Sequence, residues 1–113
     1  MVKSSYIPER GDIVWASFSK KEGHEQRGRR PALVLSPKFY NERSELALVC
    51  PITSQEKAYT FEVPLREGNT SGVVLADQVQ SIDWQARHIK FITKIRNETL
   101  KEAQRKLFLL IAS

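Results

Sequence analysis

GDIVWASF, residues 11–18, opens on a turn-forming glycine and then crowds Ile13, Val14, Trp15 and Phe18 into one short run. β-Branched and aromatic side chains at that density fit a pleated surface better than a helix. Five more segments of the same kind follow: Pro31 to Ser36, Leu46 to Thr53, Thr60 to Leu65, Gly72 to Val79 and His88 to Thr93, bounded by Gly, Pro, Asn and Ser. No long helical period separates these six candidate strands, so they are expected to pair antiparallel in a small barrel or sandwich rather than to form βαβ units. Several alternate only partly, as strands covered on both faces do.

Helices are few. Asn97 is placed to cap a final one, after which Leu100, Ala103, Leu107, Leu110 and Ile111 recur at three- and four-residue steps, with Lys101, Glu102, Arg105 and Lys106 mostly on the other side. That stripe is expected to pack on the sheet. Short helical turns are also expected in KFYNER after Pro37 and in QVQSIDW after Asp77. With no internal repeat, low-complexity segment or linker, residues 1–113 read as a single domain.

Composition narrows the function. The 113 residues are 41% hydrophobic and 27% charged, a balance that favours a folded chain over a disordered one. The length leaves no room for a separate dinucleotide-binding domain. One cysteine, Cys50, allows neither an internal disulfide nor a Cys-rich zinc site, and His24 and His88 lack metal-ligand spacing, so no metal and no cofactor are expected. Met1 to Arg10 has no signal-peptide core, and Leu107 to Ala112 is too short to span a bilayer, which points to a soluble, cytoplasmic protein.

The net charge is +5, and SKKEGHEQRGRR, residues 19–30, holds five Lys and Arg against two Glu. Over half of the excess therefore sits in one loop. The loop ends in Arg29-Arg30-Pro31, which sets Arg30 at the mouth of a strand. An arginine oriented by flanking structure makes a better bidentate phosphate clamp than one on a free loop. Pro51-Ile52-Thr53-Ser54 ends another apolar strand in two hydroxyls, which serve either as phosphate donors at a rim or as turn formers.

Read together, GDIVW at 11–15, EQRGRRPALVLSP at 25–37, PITS at 51–54, FEV at 61–63 and GVVLADQV at 72–79 closely resemble the MazF/PemK (Kid) family of toxin endoribonucleases, the mRNA interferases of toxin–antitoxin modules. The resemblance runs in order from about Pro8 to Arg87; the last strand and the C-terminal helix match by pattern only. It implies an SH3-like β-barrel with a C-terminal helix, assembled as a homodimer in the bacterial cytoplasm and held inactive by a cognate acidic antitoxin. The implied activity is a metal-independent cut in single-stranded RNA, often mRNA, that leaves a 2′,3′-cyclic phosphate and a 5′-hydroxyl. The family's central catalytic pair falls on Arg30 and Thr53, and its EQ positions on Glu25 and Gln26.

Attack of a 2′-hydroxyl on the adjacent phosphorus needs a base, an acid for the leaving 5′-oxygen, and positive charge at the equatorial oxygens. Arg30 fits the last role and is a poor base, because guanidinium keeps its proton. Three residues compete for the base: Glu25, a carboxylate among cations; His24, with the best intrinsic pKa; and Asp77, which matches an aspartate of the Kid branch. Kid-type members carry arginine two residues before that aspartate, where Leu75 stands here, so the chain sides with the MazF type. For substrate, Lys20, Lys21, Arg27 and Arg29 are candidates to track the RNA backbone, Ser54 to meet a phosphate, Tyr59 to stack on a base, and Gln78 to read a base edge. Phe18 and Phe61 are further stacking candidates, while Trp15 and Trp84 read as core or dimer-interface residues. Two alternatives stand beside the enzyme: a small barrel that binds nucleic acid or protein without catalysis, and a gyrase-directed toxin of the same fold.

Overall fold

In the computed structural model, which describes residues 6–18 and 28–112, seven strands and two helices follow one another along the chain. The strands are β1 (Asp12–Phe18), β2 (Gly28–Val34), β3 (Leu46–Thr53), β4 (Glu62–Glu67), β5 (Thr70–Leu75), β6 (Gln80–Asp83) and β7 (Lys90–Lys94). The helices are α1 (Lys38–Ser44), between β2 and β3, and α2 (Asn97–Ala112). Every ladder is antiparallel, and the strands lie in the order β4-β5-β3-β2-β1-β7, with β6 on β3. The expected mainly β fold with a C-terminal helix therefore holds. Among the described residues no ladder joins β4 to β7, so the sheet is open rather than closed by hydrogen bonds.

Alternation sorts the side chains into two cores, one on each face. Ile13, Leu33, Cys50, Ile52, Val63 and Val74 pack with Leu100, Ala103 and Leu107 of α2. Val14, Ala16, Phe18, Val34, Val49, Ile82 and Trp84 form the second cluster. This two-sided burial is why several strands alternate poorly in sequence. Phe18, a stacking candidate from the sequence, is 5% exposed and belongs to that second core, so it is not available to a base. Trp84 is core as well, its indole N–H donating to the Asn41 carbonyl, whereas Trp15 is exposed.

Three local departures from the sequence reading have physical causes. QVQSIDW is not a helical turn: Gln80–Asp83 is a strand because Ala47 and Val49 of β3 offer it an open edge at Ile82 and Gln80. β2 begins at Gly28 rather than Pro31, since Arg29 and Arg30 pair with Ser17 and Ala16 of β1. Pro31 is tolerated because β2 gains its second neighbour only at Ala32, an edge-like setting for proline. Finally, only the first half of the α2 stripe is covered. Leu110 and Ile111 are 48% and 71% exposed, because the helix overruns the sheet.

α1 confirms the helix after Pro37, and it is held by one buried polar residue. Asn41, fully buried, accepts the Ser36 hydroxyl and donates to the carbonyls of Pro8 and Ser36. These bonds tie the N-terminal segment, the β2–β3 connection and, through Trp84, the β6 end into one unit.

Candidate functional site

β3 organises the site. Along one edge it pairs with β2; along the other it pairs first with β6, through Leu46–Val49, and then with β5, through Ile52 and Thr53. The chain crosses from β5 to β6 in the stretch 76–79, and that crossing leaves β3 without a ladder partner on this side at Cys50 and Pro51. Asp77 and Gln78 sit in the break. Beside it lies a cavity of about 490 Å³, lined by Thr53, Gln55, Lys57, Tyr59, Glu62, Leu75, Asp77 and Gln78.

β2 and β3 pair at Val34–Val49, Leu33–Cys50 and Ala32–Pro51, where their ladder ends; Arg30 and Thr53 each lie two residues beyond that last pair. Strand alternation then puts both side chains on one face, the face of Val49 and Pro51. Across β3, Thr53 pairs with Val73, and Leu75 pairs with Glu62, so Leu75 and Glu62 share that face. α2 packs against the other face.

Thr53 is 5% exposed, and its Oγ1 accepts the Gln55 N–H at 3.2 Å. The turn-forming role weighed from the sequence is thus real, and it leaves the hydroxyl hydrogen to donate elsewhere. Gly72 presses on the same strand end. At φ +139, its absent Cβ would lie 2.3 Å from the Thr53 carbonyl oxygen. Ser54, one residue on, is exposed and does not line the cavity.

Another wall is the segment 55–59, through Gln55, Lys57 and Tyr59. Tyr59 is exposed and stands 5.9 Å from the Phe61 ring, and its interaction with the Asp77 carboxylate raises its phenol above the ordinary range. Glu62, 6% exposed, accepts the backbone N–H of Lys57 at 3.0 and 3.2 Å and that of Tyr59 at 3.2 Å. Sequence reasoning missed Glu62, Gln55 and Lys57; a carboxylate in an otherwise apolar strand, FEV, was the available signal. Beneath the site Cys50 is buried, and burial together with the nearby Asp77 pushes its thiol up to about 12. It is a core residue, not a nucleophile.

Arg29 lies one residue off the Arg30 face. Its guanidinium donates to the His88 carbonyl at 2.9 Å, and Arg87 donates to the Ser17 carbonyl at 2.9 Å, so the turn after β6 braces the outer end of the β1–β2 hairpin. Among the sequence candidates, Thr53, Tyr59, Asp77 and Gln78 meet around one cavity, with Arg30 on the face of Thr53. Lys20, Lys21, His24, Glu25, Gln26 and Arg27 lie outside the described residues.

Comparison with known proteins agrees with this architecture. Residues 9–111 match the family described as the PemK-like, MazF-like toxin of type II toxin–antitoxin systems. The chain is 44% identical over 108 residues to the endoribonuclease toxin MazF of Escherichia coli K12, covering 96% of this chain and 97% of that one. A crystal structure of MazF from Deinococcus radiodurans superposes with a TM-score of 0.91 at 44% identity, over 96% of this chain and all of that one. A MazE–MazF crystal structure from the same organism gives 0.84 at 41% identity, over 96% and 98% of the two chains. With strand order, face and family motifs in one register, the chain belongs to the PemK-like, MazF-like toxin family of type II toxin–antitoxin systems.

Proposed function

We propose that this protein is a sequence-selective endoribonuclease toxin that cuts single-stranded RNA, mRNA among it, without a metal or cofactor. What supports the reading is strand alternation: the β2–β3 ladder ends at Ala32–Pro51, Arg30 and Thr53 fall on the face of those two residues, and Thr53 lines the cavity. RNA supplies its own nucleophile. The 2′-oxygen bonds to the adjacent phosphorus, its proton passes to a base, and the P–O5′ bond breaks as the 5′-oxygen takes up a proton. A 2′,3′-cyclic phosphate and a 5′-hydroxyl result.

Arg30 stabilises the charge that grows on the equatorial oxygens, and its guanidinium N–H groups serve as donors to the leaving oxygen. Thr53 orients a phosphate oxygen through the hydrogen its turn leaves available. Glu25 is the base in this reading, on the strength of the family's EQ motif, whose first position it fills. Tyr59 stacks on a splayed base while Asp77 and Gln78 meet base edges. Lys20, Lys21, Arg27 and Arg29 follow the backbone, with His24, Gln26 and Ser54 as neighbouring contacts.

The whole chain works as one family unit, in the cytoplasm, as a homodimer, and an acidic antitoxin tail inhibits it by occupying the same basic groove. A MazE–MazF assembly in a close structural relative supports the antitoxin partner. The uncovered apolar end of α2 supports the dimer. Arg30→Ala is expected to slow cleavage of a long single-stranded RNA by about a hundredfold or more in the presence of chelator, with melting unchanged. A variant that cuts at the parent rate overturns the assignment.

A further inference from the structure

We propose that Glu62 is a positioning residue that sets which RNA sequence the site accepts, by holding the wall that carries Lys57 and Tyr59 into the cavity. The inference rests on the functional reading above and adds a residue to which no role in recognition has been given.

A carboxylate that is 6% exposed needs partners, and the hydrogen bonds Glu62 receives on its carboxylate come from the backbone N–H groups of Lys57 and Tyr59. No lysine or arginine forms an ion pair with it among the described residues. Its service is therefore to the shape of the 55–59 segment, not to a charge balance. Glu62 is itself anchored. It pairs with Leu75 in the β4–β5 ladder, its N–H donates to the Tyr59 carbonyl, and its own carbonyl accepts Lys106 Nζ of α2 at 2.9 Å. A fixed post thus holds a segment that has no ladder of its own and that contains Ala58 at φ 55, a backbone conformation an L-residue adopts only under constraint.

The held segment and the Asp77–Gln78 break line the same cavity, and Tyr59 interacts with Asp77 there. Where Lys57 and Tyr59 stand fixes the width and chemistry of the space a base enters. Arg30 and Thr53 sit on the strands, and the Glu62 carboxylate holds the N–H groups of Lys57 and Tyr59, not the Gln55 N–H that meets Thr53. Loss of the post is expected to loosen recognition while leaving the chemical step intact.

The test uses the full chain and a pool of single-stranded RNAs carrying every short sequence at the cleavage position, with cut ends mapped and steady-state rates measured on the preferred RNA. Glu62→Ala is expected to raise KM about tenfold with kcat within about twofold of the parent, and to even out the cut-site preference. Glu62→Gln, which keeps one acceptor and adds a donor facing N–H groups, is expected to fall between. If Glu62→Ala does not fold, Glu62→Gln decides by the same measures. An unchanged preference, or a fall in kcat at unchanged KM, overturns the inference. Thr53→Val separates the two proposals: cleavage by Thr53→Val at the parent rate defeats the site reading itself, whereas an impaired Thr53→Val beside an unaltered Glu62 profile defeats only this one.

Discussion

At Gly72 two strands approach more closely than a side chain permits. A Cβ there would stand 2.3 Å from the Thr53 carbonyl oxygen and 3.3 Å from the Ser54 Cα, all of it backbone that cannot swing aside. The φ of +139 adds a conformational cost for any other residue. Gly72→Ala is therefore expected to destabilise the fold by about 2 kcal/mol or more, measured by urea unfolding, and to lower cleavage further by moving Thr53. Parent-like stability would show that β3 yields at this point. The motif GVVLADQV made this glycine visible in the sequence, but only the β3–β5 register shows that it presses on Thr53.

Among the elements, α2 divides into two functions along its length. Ala103 is fully buried and Leu100 and Leu107 pack on the core, while Phe108, Leu109, Leu110 and Ile111 are 63%, 48%, 48% and 71% exposed. Four adjacent large apolar residues at one helix end form a patch that a monomer has reason to cover. Phe108→Glu with Ile111→Glu is expected to convert the proposed dimer to a monomer at micromolar concentration while leaving the far-UV spectrum intact. Sedimentation velocity checks it, and a parent-like dimer places the interface elsewhere. The helix itself was legible from its 3.6-residue period. Which half of its stripe meets the sheet was not, because that depends on where the sheet ends.

For the molecule as a whole, the buried Cys50 thiol and the half-buried Tyr6 phenol make stability depend on alkali. Burial pushes Cys50 up to about 12 from an ordinary value of 9.0, and partial burial, then the hydrogen bond to Asp12, raises Tyr6 as well. Both folded-state values lie above the unfolded ones, so this contribution is complete below pH 9.0 and is lost as pH rises from there towards 12. The thiol alone accounts for about 2 kcal/mol at about pH 10.5. The urea midpoint is expected to fall between about pH 8 and about pH 10.5, and by less in Cys50→Ala. A midpoint that does not move contradicts the burial of Cys50 and the Tyr6–Asp12 hydrogen bond.

The sequence by itself determined that the chain is mainly β with a terminal helix, because strand-forming side chains, glycines and prolines act locally and leave their period in the order of residues. It also singled out Arg30 and Thr53, since their neighbours form motifs. What only the tertiary structure decided is long-range. Gln80–Asp83 is a strand because an edge of β3 awaits it, and Asp77 and Gln78 reach the cavity because the chain changes position between β5 and β6. Glu62 holds a wall because folding buries its carboxylate among the N–H groups of one loop. Each depends on residues distant in sequence sharing a face, and a local pattern carries no record of the strand that will lie beside it.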